Sequence, residues 1–260
     1  MKKYDNFISI GFFCSVAQEL ERIGLRSTSG PFDWLICSAD GMSRLIESRF
    51  EHFLDTNVLL QDPAQRNHYY NPIYGIWFYH DFSKYKSLEE QIDNVKKKYR
   101  RRISRFYSQI YYPTLFVRYI ANSNELDWWN DNIDFFVSLI KKYNSCNDVL
   151  FIANEGFDSS KFFIYHVKPD DFDSVARRPI DKNEKLRIFL ESIPFAKREV
   201  NLKFYHKKKK KYILKSIVTA CTEAIKKPFL EEYIHNQIYG EFKLSENSAR
   251  GEECKNILIK

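Results

Sequence analysis

The chain has 260 residues, 44% hydrophobic and 17% aromatic, with a formal charge of +7. That is enough apolar material for one large or two small cores, and it excludes a disordered or fibrous chain. The five cysteines (Cys14, Cys37, Cys146, Cys221 and Cys254) are odd in number and scattered, with no C-x-x-C pair, which argues against a disulfide framework or a zinc site and suits a reducing compartment.

In chain order, Met1-Lys-Lys ahead of an apolar run has the outline of a signal peptide, but Asp5 interrupts the basic region and no small-residue cleavage site follows. No other run is long enough to span a membrane, so a cytoplasmic location is expected, with peripheral attachment to a membrane the other option. Phe7 to Ile10 reads as a buried strand ended by Gly11. Ser15 and Gln18 form a capping-box spacing that predicts a helix with Ala17, Leu20 and Ile23 on its apolar stripe and Gly24 as its stop. Cys14 therefore falls where a strand ends and a helix begins, and unpaired helix N–H groups there favour a thiolate. An inert core cysteine fits the same junction.

Leu25 to Trp34 is a polar loop closing on an aromatic anchor. Ser38 or Asp40 opens a helix with Met42, Leu45, Ile46, Phe50 and Phe53 at helical spacing, and Asp55 to Pro72 reads as irregular. Ile73 to Phe82 predicts a strand. Ser87 and Glu90 cap an amphipathic helix through Phe106. Thr114 to Ile120 and Val149 to Ala153 predict strands on either side of a helix capped by Asn124, a unit that pairs in parallel through a right-handed crossover. Lys161 to Val167 is a further strand, and Asp181 with Glu184 starts a short helix. Val200, Leu202 and Phe204 alternate as a strand, then come a helix over Tyr212 to Ile225 and another from Pro228 to Gly240.

This order predicts a single α/β domain over residues 1–240, a mixed or mainly parallel open sheet flanked by helices with a helical C-terminal part, and a polar tail at 241–260. Sites in such sheets lie at the carboxyl ends of strands. Cys14 occupies one such end, and Arg118 and Asn154 approach the same edge.

The charge is concentrated. Asn94 to Arg105 and Lys203 to Lys215 each carry seven basic residues and no acid, and the remaining body is mildly acidic. The first cluster reads as a solvated helix face. The run Lys207, Lys208, Lys209, Lys210 and Lys211 is self-repelling and would gain from a polyanion, making it a nonspecific anion-binding patch for a polymer or a membrane surface. No helix-turn-helix, zinc or aromatic RNA-binding signature predicts specific nucleic-acid binding. No glycine-rich phosphate loop, dinucleotide fingerprint or metal spacing predicts a cofactor or metal.

Three pieces read together are more specific than any alone: Ser9-Ile-Gly-x-x-Cys14, Gly24-Leu-Arg-x-x-Ser-x-Pro31-Phe-Asp-Trp34 and Phe78-Tyr-His-Asp-Phe82. This pattern resembles a bacterial family described as papain-like cysteine peptidases, a domain of unknown function found among polysaccharide-biosynthesis proteins. The resemblance implies a papain-like α+β fold as the alternative architecture. It also implies Cys14 as nucleophile, His80 as general base, and an acid to orient the imidazole, Asp33 in preference to Asp81. Arg26, Ser29, Asp81, Arg118 and Asn154 are the candidate substrate-binding residues. The function expected is a cysteine-dependent hydrolase or acyl or group transferase acting on a glycan or glycan precursor. Two alternatives stand beside it: a transferase that binds a sugar phosphate with Cys14 structural, and a non-catalytic module that uses the lysine run to hold an anionic polymer or membrane.

Overall fold

The computed structural model of the protein describes residues 2–169 and 176–224. Its frame is a four-stranded parallel sheet in the order β1-β6-β7-β8, formed by β1 (Asn6–Ser9), β6 (Thr114–Ile120), β7 (Asp148–Asn154) and β8 (Ile164–Val167). Every residue of β6 is buried. A strand covered on both faces cannot alternate apolar with polar residues, which explains the nearly unbroken apolar run Leu115-Phe-Val-Arg-Tyr-Ile120.

Helices cover both faces. On one, Val16 and Leu20 of α1 (Cys14–Arg22) and Leu186 and Leu190 of α5 (Glu184–Ser192) pack with Leu115, Val117, Tyr119, Leu150 and Ile152. On the other, α3 (Leu88–Ile110) and α4 (Ser123–Lys141) pack with Phe116, Ile120 and Phe151. This second core also includes α2 (Ala39–Glu47) and a small antiparallel sheet in the order β2-β5-β4-β3. Its strands are β2 (Leu35–Cys37), β3 (Leu60–Gln61), β4 (Tyr69–Asn71) and β5 (Ile76–Phe78). The aromatic richness is used here, with Phe32, Phe50, Phe53, Phe78, Tyr99 and Phe106 in a chain of edge-on and tilted rings. Among the described residues, no helix is long and apolar enough to cross a membrane.

The parallel α/β frame follows the sequence expectation, and β6-α4-β7 is the predicted strand–helix–strand unit. The capping box on α3 is present in both halves, Ser87 Oγ accepting from the Glu90 amide and the Glu90 carboxylate from the Ser87 amide. Other expectations are corrected. Helix α1 starts at Cys14, not at a Ser15 cap: Phe13 is its extended N-cap and gives no side-chain hydrogen bond. Helix α2 stops at Glu47, where Arg49, Phe50 and His52 turn into positive φ, so Phe50 and Phe53 reach the core from turns. The stretch 55–72 contains β3 and β4. Asn122, not Asn124, caps α4 by accepting from the Glu125 amide.

Val200, Leu202 and Phe204 are not a strand. They lie in α6 (Arg198–Ala224), with Val200 and Phe204, one turn apart, exposed, and Leu202 turned toward Gly24. Three alternating residues are too few to separate a two-residue period from a helical one. The predicted helix from Pro228 and the tail lie outside the described residues.

Candidate active site

The carboxyl edge of the parallel sheet carries the Cys14 junction, where β1 passes into α1. Strand β1 runs into Ile10 and then Gly11, whose φ of +86° is a conformation that side-chain-bearing residues rarely adopt. A Cβ on Gly11 would also stand 2.6 Å from Arg118 Nη1 and 2.8 Å from Cys37 Sγ. Glycine is therefore required here twice over, by backbone angle and by space.

Arg118 explains that crowding. Its side chain is fully buried, and the guanidinium donates through Nε to Glu125 Oε1 at 2.7 Å, through Nη1 to the Ile10 carbonyl at 2.6 Å and through Nη2 to the Cys37 carbonyl at 2.9 Å. One side chain thus ties the end of β1, β2 and the first turn of α4 to β6. Glu125 also accepts from the Ala121 amide and from Trp129 Nε1. A buried cation needs this degree of satisfaction, and it makes Arg118 a keystone of the edge with its donors directed at protein acceptors.

Cys14 is the first residue of α1 and is half-buried. Burial pushes its thiol above the ordinary value, and its own backbone N–H pulls it partly back. The expected lowering by the helix terminus is thus outweighed by desolvation in the free chain. The adjoining Phe13 ring sits edge-on to Tyr119 at 5.2 Å. Tyr119 in turn donates to Asn154 Oδ1 at 2.7 Å and accepts from the Ala176 amide at 2.8 Å. Asn154, the last residue of β7, is thereby joined through Tyr119 to the Cys14 junction.

The other candidates are placed as follows. His80 is exposed just beyond β5, its ring edge-on to Trp34 at 6.0 Å. No hydrogen bond joins Cys14, His80 and Asp33 to one another. Asp33 is buried and accepts from Arg26 Nη1 at 2.7 Å and from the Gly30 amide at 2.8 Å, while its Oδ1 is buried without a partner. Arg26 is buried as well, donating to Asp33, to Glu21 Oε2 at 2.8 Å and to the carbonyls of Ala17 and Thr28. Ser29 offers its carbonyl to Arg105. Asp81 accepts from Tyr99 at 2.7 Å and pairs with Lys98, with Arg102 at 3.7 Å. The structure brings Arg26 and Asp33 together as a pair that pins the motif loop, and Asp81 as the anchor of His80's segment onto α3. Of the lysine run, Lys208 donates to Glu21 Oε1 at 2.8 Å, and Lys207, Lys210 and Lys211 are exposed. On a helix, five successive lysines are spread around the axis rather than gathered on one side.

Sequence reasoning missed Glu125 and Tyr119. The readable signal for the first was the Asn122-to-Glu125 spacing, an N-cap followed three residues later by an acid. Tyr119 carried no signal beyond its place on a buried strand. Among the described residues, no cluster of three or more His, Cys, Asp or Glu side chains is arranged to hold a metal ion.

A strand-fed helix that opens on a half-buried cysteine at the carboxyl edge of a parallel sheet, beside a small antiparallel sheet, makes this a mixed α/β protein. The chain belongs to the family described as "Putative papain-like cysteine peptidase", whose model matches residues 5–153. An uncharacterized protein of Acanthamoeba polyphaga mimivirus is 28% identical over a 172-residue alignment that covers 57% of this chain and 77% of that protein. No solved structure matches the chain.

Proposed function

We propose that the protein is a cysteine-dependent hydrolase or acyl transferase with Cys14 as its nucleophile. The observation that carries this reading is the helix start. Cys14 opens α1, and the Phe13 N-cap supplies no side-chain acceptor for the first-turn amides. Those N–H groups stand beside the thiol as donors for an oxyanion. Family membership over residues 5–153 supports the same chemistry.

In the proposed reaction the thiol proton passes to a general base as sulfur attacks an acyl carbonyl carbon. The tetrahedral oxyanion is held by first-turn amides, the leaving group departs with the proton, and water or a second acceptor then cleaves the thioester. Because burial holds the free thiol protonated, the base must act as substrate docks; His80 is the base we assign. The Arg26–Asp33 pair then positions the motif loop, and Arg118 holds the sheet edge in shape. The substrate class we attach is an acylated or activated precursor in surface-glycan assembly, which rests on the sequence resemblance.

The test is acylation by p-nitrophenyl acetate, with the modified cysteine located by mass spectrometry. Cys146 is exposed and serves as an internal reference thiol. Acyl transfer is expected at Cys14 before Cys146, and His80→Ala is expected to slow it by about 100-fold, a usual contribution of a general base. Acylation that reaches Cys146 first removes Cys14 as nucleophile, and Cys14 acylation that His80→Ala leaves unchanged removes His80 as base.

A further inference from the structure

A cavity of about 250 Å³ at the amino end of β1 takes no part in the proposed acyl chemistry. It opens where Asp5 leads into the strand, and Cys14 follows the strand's other end. Its walls are the loop after α1, the last turns of α3, and the segment from Phe195 into the first turn of α6. The apolar part of the lining is Phe7 and Leu25, both buried, with Phe195 edge-on to Phe7 at 5.2 Å. Asn201 marks this cavity as a site. It is 6% exposed and lines the cavity, yet its side-chain amide makes no hydrogen bond among the described residues. A buried amide is costly to leave unpaired, and one that borders a cavity is satisfied by what enters.

Charges of both signs line the same space without neutralising one another. Asp5, Arg105 and Lys197 make no ion pair among the described residues. Arg105 gives Nη2 to the Ser29 carbonyl, and its Nε and Nη1 go to no described residue. Burial, and after it the neighbouring Arg102 and Arg101, push this guanidinium below the usual arginine value, a penalty that an anion beside it relieves. Arg26 lines the cavity too, but its donors already hold Asp33, Glu21 and two carbonyls. A plain carboxylate ligand would leave Asp5 unanswered, and a plain amine would leave Arg105 and Lys197 so. The volume lies just below the range of drug-sized pockets, which is too small for a nucleotide. We infer that this cavity binds a free α-amino acid with an apolar side chain. Its carboxylate pairs with Arg105 and Lys197 and accepts from the Asn201 amide, its ammonium pairs with Asp5, and its side chain lies against Phe7, Leu25 and Phe195. The inference does not depend on the proposed acyl chemistry.

Calorimetric titration of the full chain with L-leucine and L-phenylalanine tests it. Saturable binding of at least one is expected. The N-acetyl derivative of the tighter binder lacks the ammonium and its amide derivative lacks the carboxylate, so each is expected to bind about tenfold or more weakly. Arg105 and Lys197 are exposed, so Arg105→Gln and Lys197→Gln leave the core intact, which thermal melting verifies. Each is expected to weaken binding about tenfold or more. Asn201→Leu is expected to weaken it without lowering the melting temperature, because the amide it removes has no protein partner to lose. The variant Lys207→Gln/Lys210→Gln, which changes charge elsewhere on α6, is expected to bind as the wild type does. Three results overturn the inference: neither amino acid binds, the two derivatives bind as tightly as the parent, or the Arg105 and Lys197 variants bind undiminished.

Discussion

Gly11 shows how little freedom a residue has at the edge of the parallel sheet. Its positive φ and the 2.6 Å approach a Cβ would make to Arg118 Nη1 both bar a side chain. The guanidinium cannot yield, because it is held by two carbonyls and by Glu125. Gly11→Ala is therefore expected to destabilise the protein by about 2 kcal/mol or more, from backbone strain and displacement of the buried pair together. A urea titration of the variant checks this, and a midpoint unchanged from the wild type would show that the edge is slack. The sequence marked Gly11 as the end of a strand, but not as the floor beneath an arginine that follows more than a hundred residues later.

Among the elements, α3 and α6 are instructive because a local signal marks the start of the first and none marks the start of the second. The Ser87 and Glu90 pair is a local signal whose donors and acceptors lie within four residues, so the capping box follows from sequence alone. Both of its hydrogen bonds are made, and Ser87→Ala is expected to cost about 1 kcal/mol, measurable as a shift in the urea midpoint with an unchanged slope. The start of α6 has no comparable signal. Its residues Val200 and Phe204 are exposed while Leu202 turns toward Gly24, so the apolar residues do not mark one buried face. One contact that holds the helix is with α1 and the turn after it, through Gly24 and the Lys208–Glu21 pair. Because that contact is made by residues nearly two hundred positions apart, a short-range reading had no access to it. Helix α1 gives a smaller instance: Ser15 and Gln18 have the spacing of a cap, yet the extended Phe13 moves the helix start ahead of them.

Across the whole molecule, the parallel sheet divides two apolar cores, and buried polar side chains stitch the layers together. Glu19 is the clearest case. It is fully buried on α1 and accepts from the amides of Ile180 and Asp181, joining the first helix to the segment before α5. Burial, reinforced by Asp181, lifts its carboxyl from 4.5 to about 8. The folded chain thus holds this proton more tightly than the unfolded chain between those values. Its contribution to stability is full below 4.5 and is lost as pH rises toward about 8. Glu19→Gln, which keeps the shape and removes the titration, is expected to flatten the fall in urea midpoint across that window. A variant that retains the wild-type slope would assign the pH dependence to another group.

The sequence by itself determined the α/β class, the strand–helix–strand unit of β6, α4 and β7, the α3 cap and the cysteine at a strand–helix junction. Each is written in local periodicity or in spacings of a few residues. Only the tertiary structure decided which charges are already committed. Arg118 with Glu125, Arg26 with Asp33, and Asp81 with Tyr99 and Lys98 became partners through packing. It also decided that desolvation raises the Cys14 thiol and that His80 stands exposed beside Trp34. Desolvation and ion pairing depend on what surrounds a group in three dimensions, and at these positions the surroundings come from segments far away in the chain.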